Sequence, residues 1–264
     1  MSVTLVATAS GDGFEAPGPE IFWQPVVGSG QWAVTRPMVV MGLSVLVIAA
    51  WLLLTTRRQA VVPGRSQFYT EQVYGLVRNS VARDVIGSHD FLRFVPLLFT
   101  MFVLILVNNL FGVIPPVQYP TMSRIGFPIA LTLVVFITFH VVGIRRVGLG
   151  RYLKNMIPAG VPGWVLFLLV PLEYAQYFLI RPVTLALRLF GNMFAGHILL
   201  VLLITGGEYL VLHSGSVPLA GAGIITWAMA FVMTIFELLV EFLQAYIFVL
   251  LAALYIAGSL ADEH

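Results

Sequence analysis

Residues 217–260 read VPLAGAGIITWAMAFVMTIFELLVEFLQAYIFVLLAALYIAGSL, 44 positions with two charges, Glu237 and Glu241, and no proline after Pro218. As one helix this block runs to roughly 60 Å or more at 1.5 Å per residue. A bilayer's hydrocarbon core is only about 30 Å thick. Such a helix either breaks or leans steeply, and without an internal proline a long tilted helix is the simpler reading. Residues 164–204 form a second block of similar length, with Pro171 and Pro182 available as kinks. A Gly-Gly and Ser-Gly segment, residues 206–216, is expected to separate the two.

The rest of the chain sets the class. Of 264 residues, 59% are hydrophobic and only 10% charged, against about 25% charged in a soluble domain. With a mean hydropathy of +0.95 a water-facing surface could not be covered. This is the composition of a polytopic membrane protein. Cysteine is absent, which excludes disulfide frameworks, thiolate metal sites and thiol nucleophiles. No phosphate-cradling glycine loop ending in Lys-Ser/Thr and no His-Glu-x-x-His metal motif is present, so nucleotide chemistry, if any, must happen on partner chains.

Three shorter apolar runs precede the long blocks: residues 38–54, residues 94–114 with Asn108 and Asn109 near the far end before Pro115-Pro116, and residues 127–144 closed by Arg145 and Arg146. Residues 68–86 alternate helically, with Tyr69, Val73, Leu76, Val77, Val81 and Val85 against Glu71, Arg78, Arg83 and Asp84. This predicts an amphipathic helix, either laid on the membrane interface or packed on other protein. Residues 1–35 carry Asp12, Glu15 and Glu20 but no basic residue, unlike a secretory signal peptide. The expected fold is all-α: an extracytoplasmic tail (1–35), then a single membrane domain (36–264) with about five crossings, an interfacial amphipathic helix and a strongly tilted antiparallel hairpin (164–260).

A net charge of +2 and a pI near 9.0 could point to nucleic acid, but the positions of the charges argue for topology instead. With the N-terminus outside and five crossings, Arg57, Arg58, Arg65, Arg78, Arg83, Arg93, Arg145, Arg146, Arg151 and Lys154 fall inside, and only Arg36 and Arg124 outside. The positive-inside bias favours that orientation, with the C-terminus in the cytoplasm.

Ionisable residues within the long blocks carry the chemistry. Glu173, Arg181, Arg188 and His197 lie in the first, Glu237 and Glu241 in the second. A charge at a helix centre costs about 2.5–3.5 kcal/mol on insertion scales, so such residues pair, face water or carry ions. Arg181, Thr184, Arg188, Gly191 and Ala195 share one helical stripe, whose small residues let a neighbouring helix approach. His197 falls on the opposite face. Thr234, Glu237, Glu241 and Gln244 make a polar stripe on the second block. The pattern reads as intramembrane ion handling, with a structural ion pair in a bundle as the bland reading.

Residues 181–197, RPVTLALRLFGNMFAGH, closely resemble the signature of the subunit a family of F-type ATP synthases. Phe236-Glu237, residues 243–248 (LQAYIF), Asn109-Leu110-Phe111 and the closing Asp262-Glu263-His264 resemble it too. The resemblance implies a static, proton-translocating subunit with two offset half-channels against a ring of c subunits. Its partners would be the c ring, b-type peripheral stalk subunits, the soluble catalytic sector and the lipid bilayer, with no nucleic acid and no cofactor. The chain alone would be no enzyme, and it would lie in a bacterial plasma membrane. Arg188 matches the essential arginine facing the ring, keeping the half-channels separate and promoting deprotonation of the ring carboxylate. Asn192, His197, Glu237 and Gln244 match positions lining the outer half-channel. The histidine here sits on the earlier helix and the acid on the later one, the reverse of a bacterial form of the family. Glu173 resembles an acid of the inner half-channel, and Gly112 occupies a place where some relatives carry an acid.

Other residues keep two readings. Glu241 is a second pathway group or a lipid-edge carboxylate. Arg181 is a headgroup anchor or a partner of Glu173. Asn108 and Asn109 line a channel or cap a span end, and His89, His140 and His213 read as ordinary interfacial histidines. The alternative function is a self-contained secondary transporter with an intramembrane charge relay, which would usually show inverted repeats. No such symmetry is visible.

Overall fold

The structure is a computed structural model. It describes residues 14, 16–18, 25–28, 33–57, 62–114, 118–157, 162–213 and 215–260. Asp12, Glu15, Glu20, Arg58, Pro115-Pro116 and the closing Asp262-Glu263-His264 lie outside the described residues.

A short ribbon, β1 (Pro25–Val27) against β2 (Val34–Thr35), leads into α1 (Arg36–Thr56), which starts with Pro37 in its first turn, where a missing N–H costs nothing. α2 (Arg65–Gly75) passes through a wide π stretch, Leu76–Arg83, into the single turn α3 (Asp84–Ile86). α4 (Val95–Val113), α5 (Gly126–Val147) and the short α6 (Leu149–Asn155) follow. α7 (Gly163–Ala175), a π turn at Gln176–Ile180 and α8 (Arg181–Leu212) run as one helix, and α9 (Val217–Leu260) closes the described chain. Among the described residues five helices are long and apolar enough to cross a membrane: Arg36–Thr56, Val95–Val113, Gly126–Val147, Trp164–Leu212 and Val217–Leu260.

The first long block neither breaks at its prolines nor ends where expected. Pro182 has no N–H for the carbonyl four residues back, and the wide turn at Gln176–Ile180 immediately before it absorbs that mismatch. Gly206 and Gly207, read as a linker, are helical, and only a few residues join α8 to α9. Close approach explains Gly207. A β-carbon on Gly207 would meet Trp227 Cδ1 at 2.5 Å and the Gly223 carbonyl at 3.2 Å, and one on Gly223 would meet the Gly207 carbonyl at 2.9 Å. The two helices pair antiparallel from end to end: Gly207 lies beside Gly223, Gly196 beside Glu237, Asn192 beside Gln244, and Arg181 beside Tyr255.

The core forms where α4, α5, α8 and α9 meet, with Leu98, Ile105, Phe139, Leu189, Phe248 and Ile256 nearly sealed from solvent. The amphipathic helix settles partly onto protein: α2 buries nothing, whereas Val77, Val81 and Ala82 of the π stretch are fully buried against α4 and α9. The segment after α4 also turns inward, burying Thr121, Met122 and Ser123 completely. At the other end of the bundle Asp90 accepts from Arg93 at 2.6 Å and from Arg146 at 3.3 Å.

Candidate functional site

Helical phase divides α8 into two faces. Leu185, Leu189 and Met193 point into the core, while Thr184, Arg188, Asn192 and Ala195 are exposed. Arg188 makes no hydrogen bond, ion pair or ring contact with another described residue. A guanidinium stands outward on an apolar helix, beside the small side chains of its own stripe.

The acids of α9 lie on the far side of that helix. Glu237, Glu241 and Gln244 are buried, with 5%, 2% and 3% exposure. Asn192 Nδ2 donates to Gln244 Oε1 at 2.7 Å, so one residue of α8 links the exposed arginine face to the buried polar stripe. Each carboxylate sits against a glycine of a neighbouring helix. Glu237 Oε1 is 2.9 Å from where a β-carbon on Gly196 would stand, one residue before the half-buried His197. Glu241 Oε1 is 3.3 Å from the equivalent point at Gly112, which Met193 Cε approaches to 3.0 Å. Asn109 Nδ2 donates to the Glu241 backbone carbonyl at 3.1 Å.

Both oxygens of Glu237 and of Glu241, Oδ1 of Asn109 and Nε2 of Gln244 are buried without a hydrogen-bond partner among the described residues. An unmet buried polar atom costs about 1–3 kcal/mol, and more when charged. A run of them along two helices offers donors and acceptors that water can satisfy.

Several readings resolve. Glu241 is not a lipid-edge carboxylate, because α4 and α8 close over it. Asn108 and Asn109 cap nothing, since α4 continues past both to Val113. Asn108 is a structural clamp, donating to Ser44 Oγ at 2.9 Å and accepting from Thr121 Oγ1 at 2.8 Å, while Asn109 faces Glu241. Arg181 does not pair with Glu173: its guanidinium lies 3.7 Å from the Tyr177 ring centroid and 5.2 Å from that of Tyr255. Glu173 is half-buried on α7, apart from the α9 acids. His89 and His213 are exposed, whereas His140 is buried in an aromatic cluster. Among the described residues no group of three or more His, Asp or Glu side chains forms a metal site.

The glycine notches carry no signal in the sequence. Gly196 and Gly112 have no chemistry of their own, and only the packing of α9 shows what they admit.

A family model described as ATP synthase A chain matches residues 38–257. The chain belongs to that family. It is 46% identical over 275 residues to the ATP synthase subunit a of Nocardioides sp., covering 100% of this chain and 99% of the relative. The subunit a of Pseudarthrobacter chlorophenolicus is 41% identical over 268 residues, covering 100% of both chains. That of Streptomyces lividans is 36% identical over 258 residues, covering 96% of this chain and 90% of the relative. As a member of the ATP synthase A chain family with several helices apolar enough to cross a bilayer, the chain is a multi-pass membrane protein and a component of a larger complex.

Proposed function

We propose that this chain is the static proton-translocating subunit of a rotary F-type ATP synthase, with two offset half-channels against a ring of c subunits. The observation that carries the reading is the disposition of Arg188: outward, unpaired among the described residues, one helix away from two buried acids. A guanidinium keeps its proton where desolvation would neutralise a lysine. Facing the ring, it favours the ionised form of each arriving carboxylate, which therefore releases its proton. The same charge repels cations that would pass straight from one half-channel to the other.

Asn192, His197, Glu237, Glu241 and Gln244, with Asn109 behind them, line the outer half-channel in this reading. Their support is the continuous run of buried polar atoms and the Asn192–Gln244 bond that brings it to the ring-facing side. Glu173 serves the inner half-channel, and Arg181 shapes its wall. The N-terminus lies outside and the C-terminus in the cytoplasm of a bacterial plasma membrane. A peripheral stalk of b-type subunits anchors the chain, and ATP is made on the soluble sector rather than here. Residues 164–260 form the ion-conducting hairpin.

The test is Arg188→Ala in the whole enzyme, in membrane vesicles. ATP-driven proton pumping and ATP synthesis are lost, while passive proton leak through the membrane sector persists. Arg188→Lys also fails to couple. Coupled synthesis at a near-normal rate in Arg188→Ala overturns the reading.

A further inference from the structure

The inner end of the bundle holds a second polar group that the pathway does not use. His140 of α5 is 7% exposed, its Nδ1 is hydrogen-bonded to the Tyr152 hydroxyl at 2.8 Å, and its Nε2 is buried without a partner among the described residues. Its ring stacks on Phe178, with centroids 4.8 Å apart and planes 10° from parallel, and Phe136 meets it edge-on at 4.3 Å. Tyr152 reaches this point only because position 143 is glycine: a β-carbon there would collide with the Tyr152 ring. Burial pushes the Tyr152 hydroxyl up to about 12, so it keeps its proton throughout the physiological range.

Phe178 is the middle residue of the Gln176–Ile180 wide turn. A π turn is rare because its hydrogen bonds are poorly placed, and it persists where side chains hold it. It also shifts the angular phase of everything after it. Arg181 begins the regular α8 helix, and Arg188 stands seven residues further along the same stripe. The stack on Phe178 holds the turn from α5, and the Tyr177 and Tyr255 rings hold Arg181 from within α8's own helix and from α9.

We propose that His140 is a positioning residue: oriented by Tyr152, its ring is the platform that fixes the wide turn and hence the rotation at which α8 presents Arg188. A histidine suits the place because it offers a flat face to Phe178 and an edge nitrogen by which Tyr152 pins the plane. Phenylalanine would supply only the face.

This inference rests on the reading of Arg188 given above, and the experiment separates the two. In whole ATP synthase in inverted vesicles, protons pumped per ATP hydrolysed are measured at matched content of assembled enzyme. His140→Ala and Phe178→Ala each lower that ratio about two- to tenfold, the range that loss of an aromatic pair commands. His140→Phe and Tyr152→Phe, which keep the stack but lose the pin, give smaller and equal losses that do not add in the double variant. A merely structural role predicts less assembled enzyme with an unchanged ratio, and that outcome overturns the proposal, as does additivity of the two conservative variants. If Arg188→Ala itself remains coupled, the functional reading has failed. If Arg188→Ala uncouples while all four of these variants pump normally, only the positioning role has.

Discussion

Two glycines set how far the α9 acids reach. Gly112 leaves the space that Glu241 occupies, and an acid in that volume could equally be supplied from α4. Gly112→Asp adds a carboxyl where Met193 and Glu241 already crowd, and Glu241→Ala removes the resident one. Each alone should lower ATP-driven pumping at least about tenfold, the loss of a proton-transferring side chain costing roughly a hundredfold or more. The pair together should recover much of the loss, and a double variant no better than either single one shows that Glu241 does not work through its carboxylate. The Gly196 notch places Glu237 against the backbone beside His197. Single substitutions of His197 and Glu237 should slow proton flux, and exchanging the two residues should restore part of it. Strictly additive losses would show independent roles.

Among elements, the α8–α9 pair depends on its glycine crossing near the hairpin turn. Gly207→Leu forces a side chain into Trp227 and the Gly223 backbone, and overpacking of that kind costs about 1–3 kcal/mol. The assembled subunit recovered from membranes should fall, and Trp227→Ala on the same chain should return part of it, because the indole is the first group met. Full assembly of Gly207→Leu would mean that the helices separate there at no cost. The same crossing marks where sequence reading stopped. The two long blocks, the Arg188 stripe and the Glu237–Gln244 stripe were legible because length and 3.6-residue phase belong to one segment alone. Gly206-Gly207 read as a linker because a glycine pair looks the same in a turn and in a close crossing, and only α9 distinguishes them. His140 read as interfacial for the same reason: Phe178 and Tyr152, which bury it, lie on other elements.

At the scale of the molecule, the proposed orientation rests on loop charge. Cysteines replacing Glu208 and Ser216 should label from outside, and those replacing Arg65 and Lys154 from inside. Opposite labelling of either pair overturns the topology. The 49-residue and 44-residue helices greatly exceed a hydrocarbon core of about 30 Å, so infrared dichroism of oriented membranes should place this pair well beyond the average tilt of about 20°. α1 stands differently in the fold. Its side chains are mostly exposed, yet Ser44 at its centre is fully sealed, because it accepts from Asn108 at 2.9 Å. Lipid solvates an apolar helix about as well as protein does, so such a helix gains little by docking and is free to spin or slide. One hydroxyl at one height and one azimuth removes both freedoms. The first crossing is a dowel pegged at mid-length by that serine, with Met41, Ile48 and Trp51 seated against the bundle beside it.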